Sequence, residues 1–97
     1  MSMERETFDN VFDALMDTPE EAANMTLRSD LMRAIRREVQ AWGGPQAAAA
    51  VRLGVSQPRL NDLLRNRINK FSLDALVTLA CRAGLTVRLD VGAPAAA

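Results

Sequence analysis

Hydrophobic positions recur with helical spacing through the first half of the chain. From Leu27 to Trp42 the apolar residues follow one another mainly at three- and four-residue steps, the repeat of one face of a helix. The preceding Thr18 can cap a helix, and Pro19 fits the first helical position, where no N–H is needed. A pair of glycines beginning at Gly43 ends the pattern. The sequence therefore predicts one long helix from about Pro19 to Trp42, with a break near Thr26 as the alternative.

Three shorter helices are expected to follow, each bounded by a capping residue or a glycine. An alanine-rich segment is stopped by a glycine, and the next two segments are each preceded by a serine, a typical helix cap. A proline in the first turn of the middle segment costs no hydrogen bond. We expect helices from Gln46 to Leu53, from Gln57 to about Arg65 and from Ser72 to Gly84, with a loop over residues 66–71.

After the last helix the apolar period changes to two. Leu85, Val87, Leu89 and Val91 alternate with polar residues, which predicts a β-strand over Thr86–Val91. A lone strand leaves its backbone groups unpaired and needs a partner from outside. A second copy of the chain is the simplest supplier. We therefore expect a homodimer in which Val87, Leu89 and Val91 form the dimerisation strand.

The length of 97 residues supports one domain. Hydrophobic residues make up 48% of the chain and aromatic ones 4%, so the core must be aliphatic, which favours helices. We expect a flexible tail over residues 1–7, one domain over residues 8–91 and a flexible tail over residues 92–97. A short apolar element over residues 8–15 could pack on the main body. The predicted fold is mainly α, a bundle of four to five helices with one short C-terminal β-strand.

Residues 45–65 form the most informative segment, because two short predicted helices meet there at a tight turn. Gly54 allows the positive φ that such a turn needs, and Val55 supplies its apolar plug. Ala49 and Ala50 are small enough to let the two helices cross closely. These features together predict a helix-turn-helix unit.

The second helix of this unit presents a polar face suited to the edges of DNA bases. Its leucines define the inner face, which leaves Gln57, Pro58, Asn61, Asp62 and Arg65 outward and Arg59 on the flank. Glutamine and asparagine can pair bidentately with adenine, and arginine with guanine. The alternative is an ordinary helical bundle with a polar surface. We predict base readout by Gln57, Pro58, Arg59, Asn61 and Arg65.

A second set of polar residues flanks this face and is suited to the DNA backbone. Gln46 lies at a helix N-terminus, where backbone N–H groups favour phosphate. Ser56 lies in the turn, and Arg67 and Lys70 lie in the loop beyond the second helix. We predict phosphate contacts from Gln46, Ser56, Arg67 and Lys70.

The net charge of zero conceals a strong asymmetry along the chain. Residues 1–30 carry eight acidic and two basic residues, whereas residues 31–70 carry eight basic and two acidic ones. Basic clustering is what a polyanion site needs, although a solvated helix face has the same composition.

From the composition and the absence of catalytic motifs we expect no enzyme, no metal site and no cofactor. The chain has no histidine, which removes the commonest general base and the commonest metal ligand. Its one cysteine, Cys81, cannot form an internal disulfide, and we interpret it as a small buried or half-buried hydrophobe. Trp42 is expected to be a core or lid residue. The single cysteine fits a reducing, cytoplasmic setting, and with no apolar run of about 18 residues we expect no membrane span.

The turn segment resembles the lambda-repressor/Cro-like helix-turn-helix regulators of the XRE family. The family pattern is matched by Gln46, by Gly54-Val55-Ser56-Gln57 at the turn, and by Leu60, Leu63 and Leu64. The family usually has threonine before the first glutamine, where this chain has Pro45. A phosphate contact from a threonine hydroxyl is therefore missing at that position.

A subgroup that includes the HigA-type antitoxins is more similar still. The resemblance covers residues 10–91 and rests on five short segments: Asn10-Val11-Phe12, Pro19-Glu20-Glu21, Ser56-Gln57-Pro58-Arg59, Phe71 to Leu76, and Thr86–Val91. It implies a lambda-repressor-like bundle and a homodimeric repressor of a palindromic operator. It further implies the antitoxin of a type II toxin–antitoxin pair, which represses its own operon.

The resemblance also implies a partner, a RelE/HigB-like ribonuclease toxin, which is basic. The acidic first 30 residues could dock such a toxin, or could equally be a solubilising face that repels misplaced DNA. Two other functions stay open: a stand-alone or phage-derived XRE-type regulator without a toxin, and a protein-interaction module with no DNA role. An apolar outward face on the second helix would favour the latter, and the polar residues there oppose it.

Overall fold

The computed structural model describes residues 18–93 and consists of four α-helices with one 3-10 turn. The tail predicted over residues 1–7, the apolar element predicted over residues 8–15 and residues 94–97 of the second tail lie outside the described residues. The helices are α1 (Pro19–Trp42), α2 (Gln46–Leu53), α3 (Gln57–Leu64) and α4 (Leu73–Arg82), and the 3-10 turn (Ile68–Lys70) lies between α3 and α4.

Side-chain caps begin three of the four helices. The Thr18 hydroxyl accepts from the N–H of Glu21 at 3.1 Å, and Ser56 and Ser72 make the corresponding bonds at the starts of α3 and α4. Each cap satisfies a backbone donor that the helix itself cannot. Pro45, the residue before α2, has no side-chain capping bond. The predicted starts of all four helices are therefore confirmed to within a residue.

The core is aliphatic except for Phe71, close to what the composition predicted, and α1 packs mainly against α4. Ala49 and Ala50 are buried where α2 approaches its neighbours, which confirms their predicted packing role. Val55 is partly buried and packs against the core, as expected of the apolar residue in the turn. The largest fully buried side chains are those of Phe71, Met32, Ile35, Leu53, Leu60, Leu63 and Leu76.

Helix α1 carries two apolar stripes, and only one of them enters the core. The buried stripe includes Met32, Ile35 and Val39. Leu27 belongs to the second stripe and is 40% exposed. With Leu31 it lines an open apolar groove of about 440 Å³ between α1, α4 and residues 85–89. Helical spacing groups Leu27 and Leu31 with the other apolar residues of α1, but it does not show which of them enter the core.

The predicted strand over Thr86–Val91 is absent from the described chain. Residues 85–93 form neither helix nor strand, and Leu89 and Val91 are 74% and 80% exposed. A strand is defined by hydrogen bonds to a neighbouring strand, and residues 18–93 of one chain supply no such neighbour. Residues 18–93 of one chain therefore form four α-helices and an apolar C-terminal segment that pairs with no strand among these residues.

The structure contradicts the predicted burial of Cys81 and agrees with the position predicted for Trp42. Cys81 is exposed, not buried, because the inner face of α4 is occupied by Leu76, Leu79 and Ala80. Trp42 is half-buried against the core, as predicted for a lid residue, with the guanidinium of Arg52 3.9 Å from its ring centroid. None of the described helices is long and apolar enough to cross a membrane.

Candidate nucleic-acid interface

The turn between α2 and α3 is built around Gly54. Its backbone is left-handed, with φ 71° and ψ 34°, a conformation that glycine adopts without steric cost. The N–H of Gly54 donates to Val51 O at 3.0 Å, and that of Val55 donates to Ala50 O at 2.9 Å. This pair of bonds ends α2 in a Schellman motif and redirects the chain at once into α3.

A long-range contact adds to the preference for glycine at position 54. Arg82 on α4 donates from Nη1 to Leu53 O at 3.1 Å, which satisfies a terminal carbonyl of α2. A Cβ at Gly54 would lie 2.9 Å from the same nitrogen. Both the backbone angle and the approach of Arg82 therefore favour glycine.

Helix α3 ends in a second left-handed residue, Asn66, with φ 62°. Its N–H donates to Leu63 O, and the N–H of Arg67 donates to Asp62 O, both at 3.0 Å. Asparagine tolerates this conformation better than most residues. The motif leaves Arg65 at the C-terminal end of α3 and starts the loop that carries Arg67.

The outer face of α3 carries a stripe of exposed polar side chains. Gln57, Asn61 and Arg65 are spaced four residues apart and therefore lie on one face. Pro58 is exposed beside Gln57. Within residues 18–93 the side chains of Gln57, Asn61 and Arg65 make no hydrogen bond, so their donors and acceptors are free to meet a ligand.

Arg59 is placed differently from the other predicted base readers. It is half-buried and turns along the surface away from the exposed stripe. Its Nη1 donates to Lys70 O at 2.7 Å, and its Cζ lies 4.0 Å from the centroid of the Phe71 ring. The guanidinium is thus engaged by the loop that follows α3.

Asp62 was expected to face outward, and the structure corrects this. Only 20% of its side chain is exposed, and its carboxylate lies 3.5 Å from Arg67 Nη1. The pairing covers the one acidic group of α3, which would otherwise repel phosphate.

The predicted phosphate contacts all lie on accessible positions around α3. Gln46 is exposed at the start of α2, where the first backbone N–H groups have no intrahelical acceptor. The Ser56 hydroxyl accepts the capping bond and keeps its own proton for another partner. Arg67 and Lys70 are exposed, and within residues 18–93 the Lys70 ammonium makes no hydrogen bond.

Sequence reasoning missed two arginines that support this surface. Arg82 fixes the end of α2, and Arg28 is buried in α1 with its guanidinium directed at the loop after α3. The backbone carbonyls that they contact on these other elements lie 29 residues from Arg82 and 40 or more residues from Arg28 in sequence. The only sequence signal for Arg28 is its position among Met25, Met32 and Ile35, where the helical period places an apolar residue.

A family model described as a helix-turn-helix domain matches residues 14–92. The match covers most of the chain, and the chain therefore belongs to this helix-turn-helix domain family. No curated protein matches it. The fold and the family together define a DNA-binding regulator, a class whose domains are typically non-enzymatic.

Proposed function

We propose that this chain is a sequence-specific transcriptional repressor that places α3 in the major groove of an operator. The observation that carries the proposal is the exposed stripe of Gln57, Asn61 and Arg65 on the second helix of a helix-turn-helix unit. These side chains can form bidentate pairs with adenine and guanine, and Pro58 can contact a thymine methyl group. Gln46, Ser56, Arg67 and Lys70 hold the flanking phosphates.

The proposed repressor acts as a homodimer on a palindromic operator. The groove of about 440 Å³ between α1 and α4 continues into the exposed Leu89 and Val91. A second copy would cover this apolar surface and pair with the segment Thr86–Val91. Two such subunits would meet half-sites roughly 34 Å apart, one turn of DNA.

Selection from random duplex DNA tests this function directly. The full chain should enrich an inverted repeat whose half-sites are centred about 10 base pairs apart, with two chains bound per duplex. With about six phosphates neutralised by the dimer, log K should fall against log salt with a slope of roughly −5. Failure to enrich any sequence would contradict the proposal.

We further propose that the repressor is an antitoxin, partnered by a small basic ribonuclease and acting on its own operon. Support comes from the acidic first 30 residues and from the resemblance to HigA-type antitoxins. Glu20 and Asp30 are exposed on α1, and Asp30 is 3.3 Å from Arg33. The negative charge of this segment would attract a basic partner.

Co-expression with the product of the adjacent gene tests the antitoxin proposal. A stable complex with a basic ribonuclease should form, and Glu20→Lys with Asp30→Lys should weaken it, whereas the control Asp74→Lys on α4 should not. A complex that tolerates the reversed charges would exclude docking by the acidic segment. If the neighbouring product does not bind, the stand-alone or phage-derived regulator is the better account. Absence of DNA binding as well would favour a protein-interaction module.

A further inference from the structure

The loop that follows α3 is held in place by two arginines that lie outside it. We call residues Arg67 to Phe71 the basic loop, since they include the predicted phosphate ligands Arg67 and Lys70. Three of its backbone carbonyls, those of Ile68, Lys70 and Phe71, accept hydrogen bonds from guanidinium groups of other elements. The conformation of the loop therefore depends on side chains from α1 and α3.

Arg28 holds the loop from the side of α1. Its Nη1 lies 3.3 Å from both Ile68 O and Phe71 O, and its Nε donates to Asn24 Oδ1 at 2.7 Å. The residue is only 8% exposed. Among residues 18–93, the hydrogen-bond partners of its guanidinium are neutral oxygens.

Burying the charge of Arg28 costs free energy, so its hydrogen bonds indicate why an arginine is present at this position. Removing a guanidinium from water costs several kcal/mol, and an apolar side chain of similar volume would fill the same space at less cost. What arginine adds at this position is a fixed orientation of its hydrogen-bond donors. It supplies several donors in a fixed planar arrangement, and these reach the two ends of the 3-10 turn.

Arg59 holds the loop from the side of α3. It donates to Lys70 O at 2.7 Å, and its guanidinium lies over the ring of the buried Phe71. One side chain thus joins the helix proposed to read bases to the residue proposed to hold phosphate.

We propose that Arg28 and Arg59 are positioning residues for phosphate binding, fixing the basic loop so that Arg67 and Lys70 meet the DNA backbone without further ordering. The inference rests on the proposed DNA-binding function and deepens it. A loop that is ordered in advance loses less entropy on binding, so its ionic contacts contribute more to affinity. Arg59 then supports the DNA interface by holding the basic loop, and it reads no base.

The test compares Arg28→Met, Arg28→Lys and Arg59→Met with the unchanged chain. Affinity is measured across a salt series on the selected operator and on random duplex DNA, after circular dichroism has established folding. Each variant should bind both DNAs more weakly by a similar factor, about five- to tenfold. The salt slope of the dimer should become shallower by about 1 to 2, because phosphate contacts are lost.

Arg28→Lys separates geometry from charge, since lysine keeps the positive charge but lacks the planar fork of donors. It should behave like Arg28→Met. Arg33→Met is the matched control, because Arg33 is an exposed arginine of α1 whose partner is Asp30. An unchanged salt slope in folded Arg28→Lys would overturn the proposal for Arg28. A lowered ratio of operator to random affinity in Arg59→Met would show that Arg59 reads bases.

Amide hydrogen exchange in the absence of DNA tests the positioning on its own. The N–H of Phe71 donates to Ile68 O, and that of Lys70 donates to Arg67 O. Exchange at both amides should accelerate about tenfold or more in Arg28→Met while the amides of α4 stay protected. Unchanged exchange would overturn the positioning role whether or not the chain binds DNA. A chain that binds no DNA would instead overturn only the proposed function.

Discussion

The guanidinium of Arg59 lies over the ring of Phe71, with 4.0 Å between Cζ and the ring centroid. Phe71 is 1% exposed and belongs to the core, whereas Arg59 lies on the flank of α3. The pair therefore fixes the orientation of α3 relative to the core. It also explains why Arg59 is turned away from the stripe formed by Gln57 and Asn61.

This pair should be measurable as a coupling free energy. In a double-mutant cycle, Arg59→Met and Phe71→Leu should each lower the free energy of unfolding, and their effects should differ from additivity by about 0.5–1 kcal/mol, typical of a cation–π contact. Urea unfolding followed by the fluorescence of Trp42, the one tryptophan of the chain, measures it. A cycle of Arg33→Met with Phe71→Leu is the control. Additive effects in the first cycle would refute the coupling.

Gly54 should be intolerant of any side chain. Gly54→Ala places a Cβ at positive φ and displaces Arg82 from Leu53 O, so the free energy of unfolding should fall by about 1–2 kcal/mol. The control is Gly92→Ala, since a Cβ there meets nothing within 4 Å and the backbone has no positive φ. Thermal unfolding of the two variants checks the prediction. Equal stability of both variants would mean that the turn adapts without strain.

The apolar C-terminal segment should control the oligomeric state. Leu89→Asp introduces a charge into the surface proposed to pair with a second copy, so the dimer should dissociate and the salt slope of DNA binding should halve. Val51→Asp is the control in the absence of DNA, because Val51 is also an exposed apolar residue but lies on α2, away from the groove. Light scattering measures the molecular mass of each variant in solution and so its oligomeric state. A Leu89→Asp chain that remains dimeric would place the interface elsewhere.

The helices could be predicted well because their boundaries are local. Thr18, Ser56 and Ser72 each bond to a backbone group three residues on, and Gly54 acts within its own turn. Each of these signals involves residues that are close together in the sequence. The starts of all four helices and the turn between α2 and α3 follow from them.

The remaining features depend on distant residues or on a second chain. Helical spacing cannot decide which of the two apolar stripes of α1 enters the core, and Leu27 lies on the stripe that does not. The two backbone carbonyls that Arg28 contacts in the loop after α3 lie 40 or more residues away, and no local pattern indicates them. The strand over Thr86–Val91 has no partner within the described chain. The exposed positions of Gln57, Asn61 and Arg65 are confirmed, but their role as base readers is still a prediction.

The exposed stripe of α3 is the part of the molecule that we propose reads DNA sequence. Gln57→Ala, Asn61→Ala and Arg65→Ala each remove one bidentate partner, which is worth about 1–3 kcal/mol of discrimination against a wrong base. Gln40→Ala is the matched control, since Gln40 is an exposed polar residue on α1.

The decisive measurement is the ratio of affinities for the selected operator and for operators changed at single base pairs. We expect each α3 variant to lose about tenfold or more of this ratio at its own one or two base pairs and to keep it elsewhere, while Gln40→Ala keeps it throughout. If all three α3 variants discriminated as well as the unchanged chain, the account of α3 as the recognition helix would be contradicted.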